Sequence, residues 1–348
     1  MVHPLVIYSL LFLVGLGTAI VFTSSNLLLA WMGLELNMLA MLPLMMQHRH
    51  PRAVEATTKY FIIQATAAAV FLFAALVNIW YSYQWNSFHF LHPFTSTLCF
   101  CALAMKIGLA PFHAWVPEVL QALELPTAMI LATWQKLAPF AVLIQLLPHN
   151  PNLLVLLGLI SMLVGGWGGM TQTQLRKLLA YSSIGHLGWM ILALNYFPLL
   201  TLAVLLIYIS VAVPVFLLLM INKSTSINML STSWSRTSFT ISIAAILFLS
   251  LAGLPPLTGF VPKLLVVSEL VQQGYLTPAL LALLVTLLSL TYYLRLLYAM
   301  ASTISPNNVA SLLPWRIHPT RLSLPLAVTS VIAISAIPLL PAAYMLTQ

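Results

Sequence analysis

Residues 239–272 read FTISIAAILFLSLAGLPPLTGFVPKLLVVSELVQ, an apolar run interrupted by one Gly/Pro-rich stretch. A helix rises about 1.5 Å per residue, so one straight helix over this run would extend about 50 Å. The hydrocarbon core of a bilayer is only about 30 Å thick. Proline inside a helix deletes a backbone hydrogen bond and clashes with the preceding turn. The run therefore predicts two half-helices joined at Gly253–Gly259. The pattern has a counterpart 145 residues upstream, GLAPFHAWVPEVL from Gly108 against GLPPLTGFVPKLL from Gly253. Gly, Leu, Pro, Val, Pro and Leu recur in place, with Trp115 matched by Phe260 and Glu118 by Lys263. Irregular backbone at membrane depth is tolerated only where protein or a water-filled cavity satisfies it. Matching interruptions in two halves of a chain point to inverted repeats around a central site. Two proline-kinked helices that resemble each other by chance are the plainer alternative.

Composition supports a membrane setting. Of 348 residues, 61% are hydrophobic and 5% charged, and all five acids are Glu. A soluble domain averages about 25% charged residues, so a soluble fold, a disordered chain and a nucleic-acid binder are excluded. The net charge of +8 is thinly scattered and forms no basic patch. Cys99 and Cys101 lie in an apolar run, and their spacing on a helix points the thiols apart, as for core cysteines rather than a disulfide or zinc site.

Apolar runs of spanning length give an all-α polytopic protein with eleven predicted spans. They cover Leu5–Val21, Asn26–Met46, Thr58–Tyr81, Thr95–Pro111, Pro126–Leu147, Asn152–Met170, Leu178–Leu194, Leu200–Ile221, Phe239–Gln272, Pro278–Met300 and Leu322–Leu346. The chain reads as one transmembrane domain, 1–348, with repeat halves 1–147 and 152–300 and an extra C-terminal helix, 322–346. Nothing at the start resembles a cleaved signal or an Arg-rich transit peptide. The positive-inside rule tests the count. On the side holding the N-terminus fall Arg49, Arg52, Lys59, Arg176, Lys177, Lys223, Arg236, Arg316 and Arg321, with Arg295 in snorkelling reach. The opposite connections contain no Lys or Arg. The Ser/Thr-rich stretch Ser224–Ser238 reads as a surface loop.

Three lysines, Lys106, Lys136 and Lys263, remain inside predicted spans, with Glu35 in WMGLELNMLA. None but Lys106 lies near a predicted helix end. An ionisable group at mid-membrane costs roughly 2.5–3.5 kcal/mol and marks an ion or proton path by default. A structural ion pair or a snorkelling lysine is the bland alternative. Desolvation favours a neutral amine and a nearby carboxylate favours an ammonium, so a pair such as Glu35 and Lys106 could load and release a proton. His186, beside Tyr181, Ser182 and Ser183, lies on a polar stripe suited to a water path, and fits equally as a satisfied core histidine. His113 and Glu118 lie in the first break. His48, His50, His89, His92, His149 and His318 sit in connections without metal-site spacing. No Walker, Rossmann, iron–sulfur or haem signature is present.

Six segments carry a resemblance. NLLLAWMGLELNMLA, RAVEATTKYFIIQATA, AMKIGLAPFHAWVPEV, LATWQKLAP, GGWGGMTQTQLRKLLAYSSIGHLGWM and LAGLPPLTGFVPK resemble the chain 2 family of mitochondrial NADH:ubiquinone oxidoreductase. These are antiporter-like membrane-arm subunits of respiratory complex I. The start on the first span is similar to the shortened animal form, which lacks three helices of bacterial counterparts. The resemblance implies proton translocation driven by electron transfer elsewhere in the complex. It places Glu35 on the family's mid-membrane glutamate and Lys106 on the lysine it modulates. Lys136 falls on the connecting lysine and Lys263 on the terminal lysine of the second broken helix. His186 matches the axis histidine less closely. It also implies that NADH, FMN, iron–sulfur clusters and ubiquinone are handled by other subunits, with no cofactor or metal residue in this chain. Expected partners are other membrane-arm subunits and lipids, in a hetero-oligomer of the mitochondrial inner membrane. An independent secondary cation/proton antiporter would also explain the lysines, though not the chain 2 motifs, and a structural scaffold is a third reading.

Overall fold

Prolines open many of the helices, because a proline at the first helical position loses no bond the helix would have made. In the computed structural model α1 is Pro4–Thr23, α3 is Pro51–Ser82, α4 is Pro93–Ile107, α8 is Pro151–Met170 and α10 is Pro198–Asn222. The structure describes residues 3–47, 50–84, 92–146, 150–194, 196–233, 238–302 and 322–335. Three of these starts share a His-Pro pair. The imidazoles of His3, His50 and His92 accept from the backbone N–H of Leu5, Arg52 and Phe94 at 3.3–3.4 Å. These connection histidines are N-caps, a role the sequence did not reveal. Arg49, Arg236, Arg316, Arg321, His48, His89, His149 and His318 lie outside the described residues.

The remaining helices are α2 Leu27–Met45, α5 Trp115–Ala122, α6 Leu125–Ala132, α7 Leu137–Leu146, α9 Leu175–Leu194, α11 Ile227–Thr232, α12 Ser238–Ala252, α13 Phe260–Gln272, α14 Leu276–Ser302 and α15 Ser323–Ser335. Among the described residues eight helical spans are long and apolar enough to cross a membrane, and three shorter apolar helices accompany them. Together they fall on the eleven predicted spans, and the protein is all-α and multi-pass. The last predicted span, Leu322–Leu346, is described only to Ser335.

The chain forms two units, Met1–Leu157 and Gly158–Gln348. In the first, α1 lies along α2, α3 packs on α2, α4 and α5, and α7 packs on α1, α2 and α4. Small residues permit the closest crossing: a Cβ on Gly17 would come 2.9 Å from the Gly33 carbonyl oxygen, and one on Gly33 would come 2.9 Å from that of Gly17. Close backbone approach of this kind replaces the hydrophobic drive that lipid does not supply. In the second unit α10 packs on α9, α12, α13 and α15, while α14 packs on α11, α12 and α13.

Two expectations change. The stretch Ser224–Ser238 is no plain loop, since Ser226 caps α11 by accepting from Met229 N–H at 3.3 Å. Ile227 and Leu230 of that helix are buried, and Leu175 N–H donates to the Thr225 carbonyl at 3.1 Å. Predicted span Pro126–Leu147 is not one continuous helix. It divides into α6 and α7 around a 3-10 turn, Trp134–Lys136. Pro139 has no N–H to offer the Gln135 carbonyl four residues back, so the preceding turn reorganises.

Candidate functional site

Each predicted lysine sits at or beside a helix terminus, not in the middle of a helix. Lys106 is the penultimate residue of α4, Lys136 closes the 3-10 turn, and Lys263 is in the first turn of α13. This corrects the expectation that only Lys106 would lie near a helix end. The cause is electrostatic. The last carbonyls of a helix have no intrahelical donors and form the negative end of its dipole, so an interruption supplies a buried cation with counter-charge. All three lysines are buried, with exposures of 6%, 4% and 8%.

The two sequence breaks open with the same local geometry. α4 ends at Ile107 and α12 at Ala252, and the next half-helices begin at Trp115 and Phe260, the same 145-residue offset. Gly108 and Gly253 follow the helix ends with φ +81° and +78°, a left-handed conformation natural to glycine. In the first break Gly108 and Leu109 N–H both donate to the Ala104 carbonyl; in the second, Gly253 and Leu254 N–H both donate to that of Leu249. The short motif repeat is therefore a structural repeat.

The breaks differ in how their final carbonyls are satisfied. In the second, Lys263 Nζ reaches back and donates to the carbonyl of Ala252, the last residue of α12, at 2.6 Å. A Cβ on Gly253 would stand 2.6 Å from that ammonium, so the glycine also makes room for it. In the first, neutral donors serve. Trp115 Nε1 donates to the Met105 carbonyl at 3.3 Å and Gln64 Nε2 to the Lys106 carbonyl at 3.0 Å. Arg295, read as snorkelling, caps a helix in the same way: its Nη1 donates to the carbonyl of Met170, the last residue of α8, at 2.8 Å.

Glu35 lies mid-way along α2, partly buried, and its Oε2 has no hydrogen-bond partner among the described residues. It forms no ion pair with Lys106, yet its charge acts on both the Lys106 ammonium and the Tyr60 phenol. The structure thus brings Glu35 within electrostatic reach of Lys106 without direct contact. Lys136 shares their unit, in a turn adjoining α6 and α7.

In the second unit Lys263 and His186 come together. Both line a cavity of about 20 Å³ with Ser182, Trp189, Tyr292 and Tyr293. Both also line a neighbouring cavity of about 10 Å³ with Tyr208 and Ser250. A cavity of roughly 10–15 Å³ holds one water. His186 stacks obliquely on Tyr208, ring centroids 5.3 Å apart, and Tyr292 meets Tyr293 at 4.4 Å. Sequence reasoning missed these tyrosines, since an aromatic in an apolar helix looks like core. It also missed buried Glu269 of α13 and buried Gln64 of α3. A lone amide in the alanine-rich inner stripe of α3 was the available signal for Gln64. Lys59, placed at the membrane edge, pairs with Glu55 at 2.7 Å and with Glu118 of the first break at 2.8 Å. Cys99 and Cys101 are free thiols on α4. Among the described residues no cluster of His, Cys or acids has metal-binding geometry.

Comparisons with known proteins bear on the family and the fold. Residues 24–289 match the family model described as NADH:quinone oxidoreductase/Mrp antiporter, transmembrane, and residues 290–344 match NADH dehydrogenase subunit 2 C-terminus. The chain is 57% identical over 338 residues to NADH-ubiquinone oxidoreductase chain 2 of Tetraodon nigroviridis, covering 97% of this chain and 96% of that one. Among solved structures, a chain of respiratory complex I from Thermus thermophilus with bound aureothin superposes with TM-score 0.84 at 29% identity, over 99% of this chain and 81% of that one. A chain of the Mrp complex from Dietzia shares the fold alone, with TM-score 0.79 at 19% identity over 85% and 61% of the two chains. Near-full-length identity and two adjoining family models place this protein in the NADH-ubiquinone oxidoreductase chain 2 family, the antiporter-like membrane subunits of complex I.

Proposed function

We propose that this chain moves protons through Glu35, Lys106, Lys136 and Lys263, with His186 as an accessory relay, while electrons pass through other subunits. The observation that supports this most is the placement of the three lysines. Each is buried at a helix interruption, and at the second break the Ala252 carbonyl meets the Lys263 ammonium directly, a support that a small displacement removes. Such a group switches between charged and neutral forms at low cost. Glu35, near Lys106 but not bonded to it, is a movable counter-charge. The water-sized cavities beside His186 and Lys263 give a proton somewhere to hop. The two repeat halves, 1–147 and 152–300, are then two related proton-handling modules, with the C-terminal segment 322–346 appended.

As a member of its family the chain is a subunit of NADH-ubiquinone oxidoreductase, a proton-translocating complex. Its partners in this reading are the other membrane-arm subunits and lipids of the mitochondrial inner membrane. NADH, FMN, iron–sulfur clusters and ubiquinone belong to those other subunits, and we assign them no residue here. The test is Lys106→Met and Lys263→Met in the assembled complex, reconstituted in vesicles. Each variant should lower protons moved per NADH oxidised at least tenfold. Full pumping by both would refute the reading.

A further inference from the structure

Gln64 has no part in the proton path described above, yet its side chain hydrogen-bonds Lys106 from α3. It lies on the buried stripe formed by Tyr60, Gln64, Ala67, Ala68 and Phe71, and is itself 5% exposed. A primary amide in that apolar stripe must find partners or incur the cost of an unsatisfied polar group. Its Nε2 donates to the Lys106 backbone carbonyl at 3.0 Å.

The end of α4 explains why that carbonyl needs a donor. The helix stops at Gly108, so the carbonyls of its last turn have lost their usual i+4 donors. Ala104 takes the N–H groups of Gly108 and Leu109. Met105 takes the indole N–H of Trp115. Lys106 takes Gln64. The first break thus satisfies these three carbonyls with neutral groups, whereas in the second break a lysine ammonium meets the last carbonyl of α12. That contrast bears on Lys106: the carbonyls at the first break need no cation, which leaves its ammonium to answer to Glu35.

We infer that Gln64 is a positioning residue for Lys106. By bonding the Lys106 carbonyl it fixes the height of the α4 terminus and keeps the ammonium available to the Glu35 carboxylate. Two further contacts steady the neighbouring half-helix that supplies the other neutral donor. Tyr60 meets Trp115 with ring centroids 5.8 Å apart, and Lys59 pairs with Glu118 at 2.8 Å. The ion pair is 42% and 53% exposed, and exposed pairs contribute little, so the buried amide is the stronger determinant.

The inference rests on Lys106 carrying protons, and the experiment keeps the two apart. The assembled complex is reconstituted in vesicles with Gln64→Met, which keeps length and volume but removes the donor, and with Gln64→His, which restores an N–H. Protons moved per NADH oxidised is the readout, because both fluxes scale with the amount of complex and the ratio does not depend on assembly. Losing one such hydrogen bond corresponds to about a fivefold effect. Gln64→Met should lower the ratio by about that factor and Gln64→His should restore most of it. An unchanged ratio in Gln64→Met, or equal losses in both variants, would overturn the inference. Lys106→Met run in parallel reports on the underlying reading: if it pumps fully, the proton path itself is wrong. If it fails to pump while Gln64→Met is unaffected, only the positioning role is lost.

Discussion

Gly253 shows how much a single position can constrain. Its φ of +78° belongs to the left-handed region, which costs a residue with a Cβ about 1–2 kcal/mol. An added methyl would also stand 2.6 Å from the Lys263 ammonium. Gly253→Ala should therefore lower the thermal stability of the complex by about that energy and displace the ammonium from the Ala252 carbonyl. Proton pumping per NADH should fall more than stability predicts. A variant with altered stability and a normal pumping ratio would separate backbone strain from lysine placement. At this scale the sequence was informative about identity and silent about partners. Glu35, Lys106, Lys136, Lys263 and His186 were singled out as candidates by residue type and motif alone. That Lys263 bonds Ala252, eleven residues back, depends on how the break folds. That Gln64 meets Lys106 depends on the packing of α3 against α4. Neither is encoded in local spacing.

The helices themselves were legible wherever hydropathy alone decides. Apolar runs marked each of the eleven spans, and glycine with proline marked both long breaks. The 3-10 turn at Trp134–Lys136 was missed because one proline in an apolar helix gives a kink, a turn or nothing, according to its neighbours. Helix α11 was missed because serine and threonine read as loop, although Ser226 was acting as an N-cap. Pairing between helices is set by small residues. At the α1–α2 crossing, Gly33 stands against the Val21 side chain and the Gly17 carbonyl. Gly33→Leu would drive a side chain into backbone that cannot move aside, and overpacking of this kind costs about 1–3 kcal/mol. The expected result is a lower yield of assembled subunit on native gels, with Gly15→Leu as the control, since nothing lies within 4 Å of a Cβ there.

For the whole molecule, the small inventory of charge is the organising fact. Thirteen cations and five glutamates serve 348 residues. Most cations were assigned to one membrane side from sequence, and the rest are the three buried lysines. Two units, Met1–Leu157 and Gly158–Gln348, each contain one Gly/Pro break and at least one buried lysine. Membership in the chain 2 family favours a subunit of a redox-driven complex over a free-standing antiporter. What separates a proton carrier from a structural cation is whether the group must ever be neutral. Lysine can give up its proton, while arginine stays charged in proteins. Lys106→Arg and Lys263→Arg would keep the positive charge, and at Lys263 a donor for the Ala252 carbonyl. The most direct measurement is the number of protons moved per NADH oxidised by vesicles containing each Arg variant. A carrier role predicts loss of pumping in both, despite normal assembly. Normal pumping with arginine at both positions would show that these charges hold the fold and do not move protons.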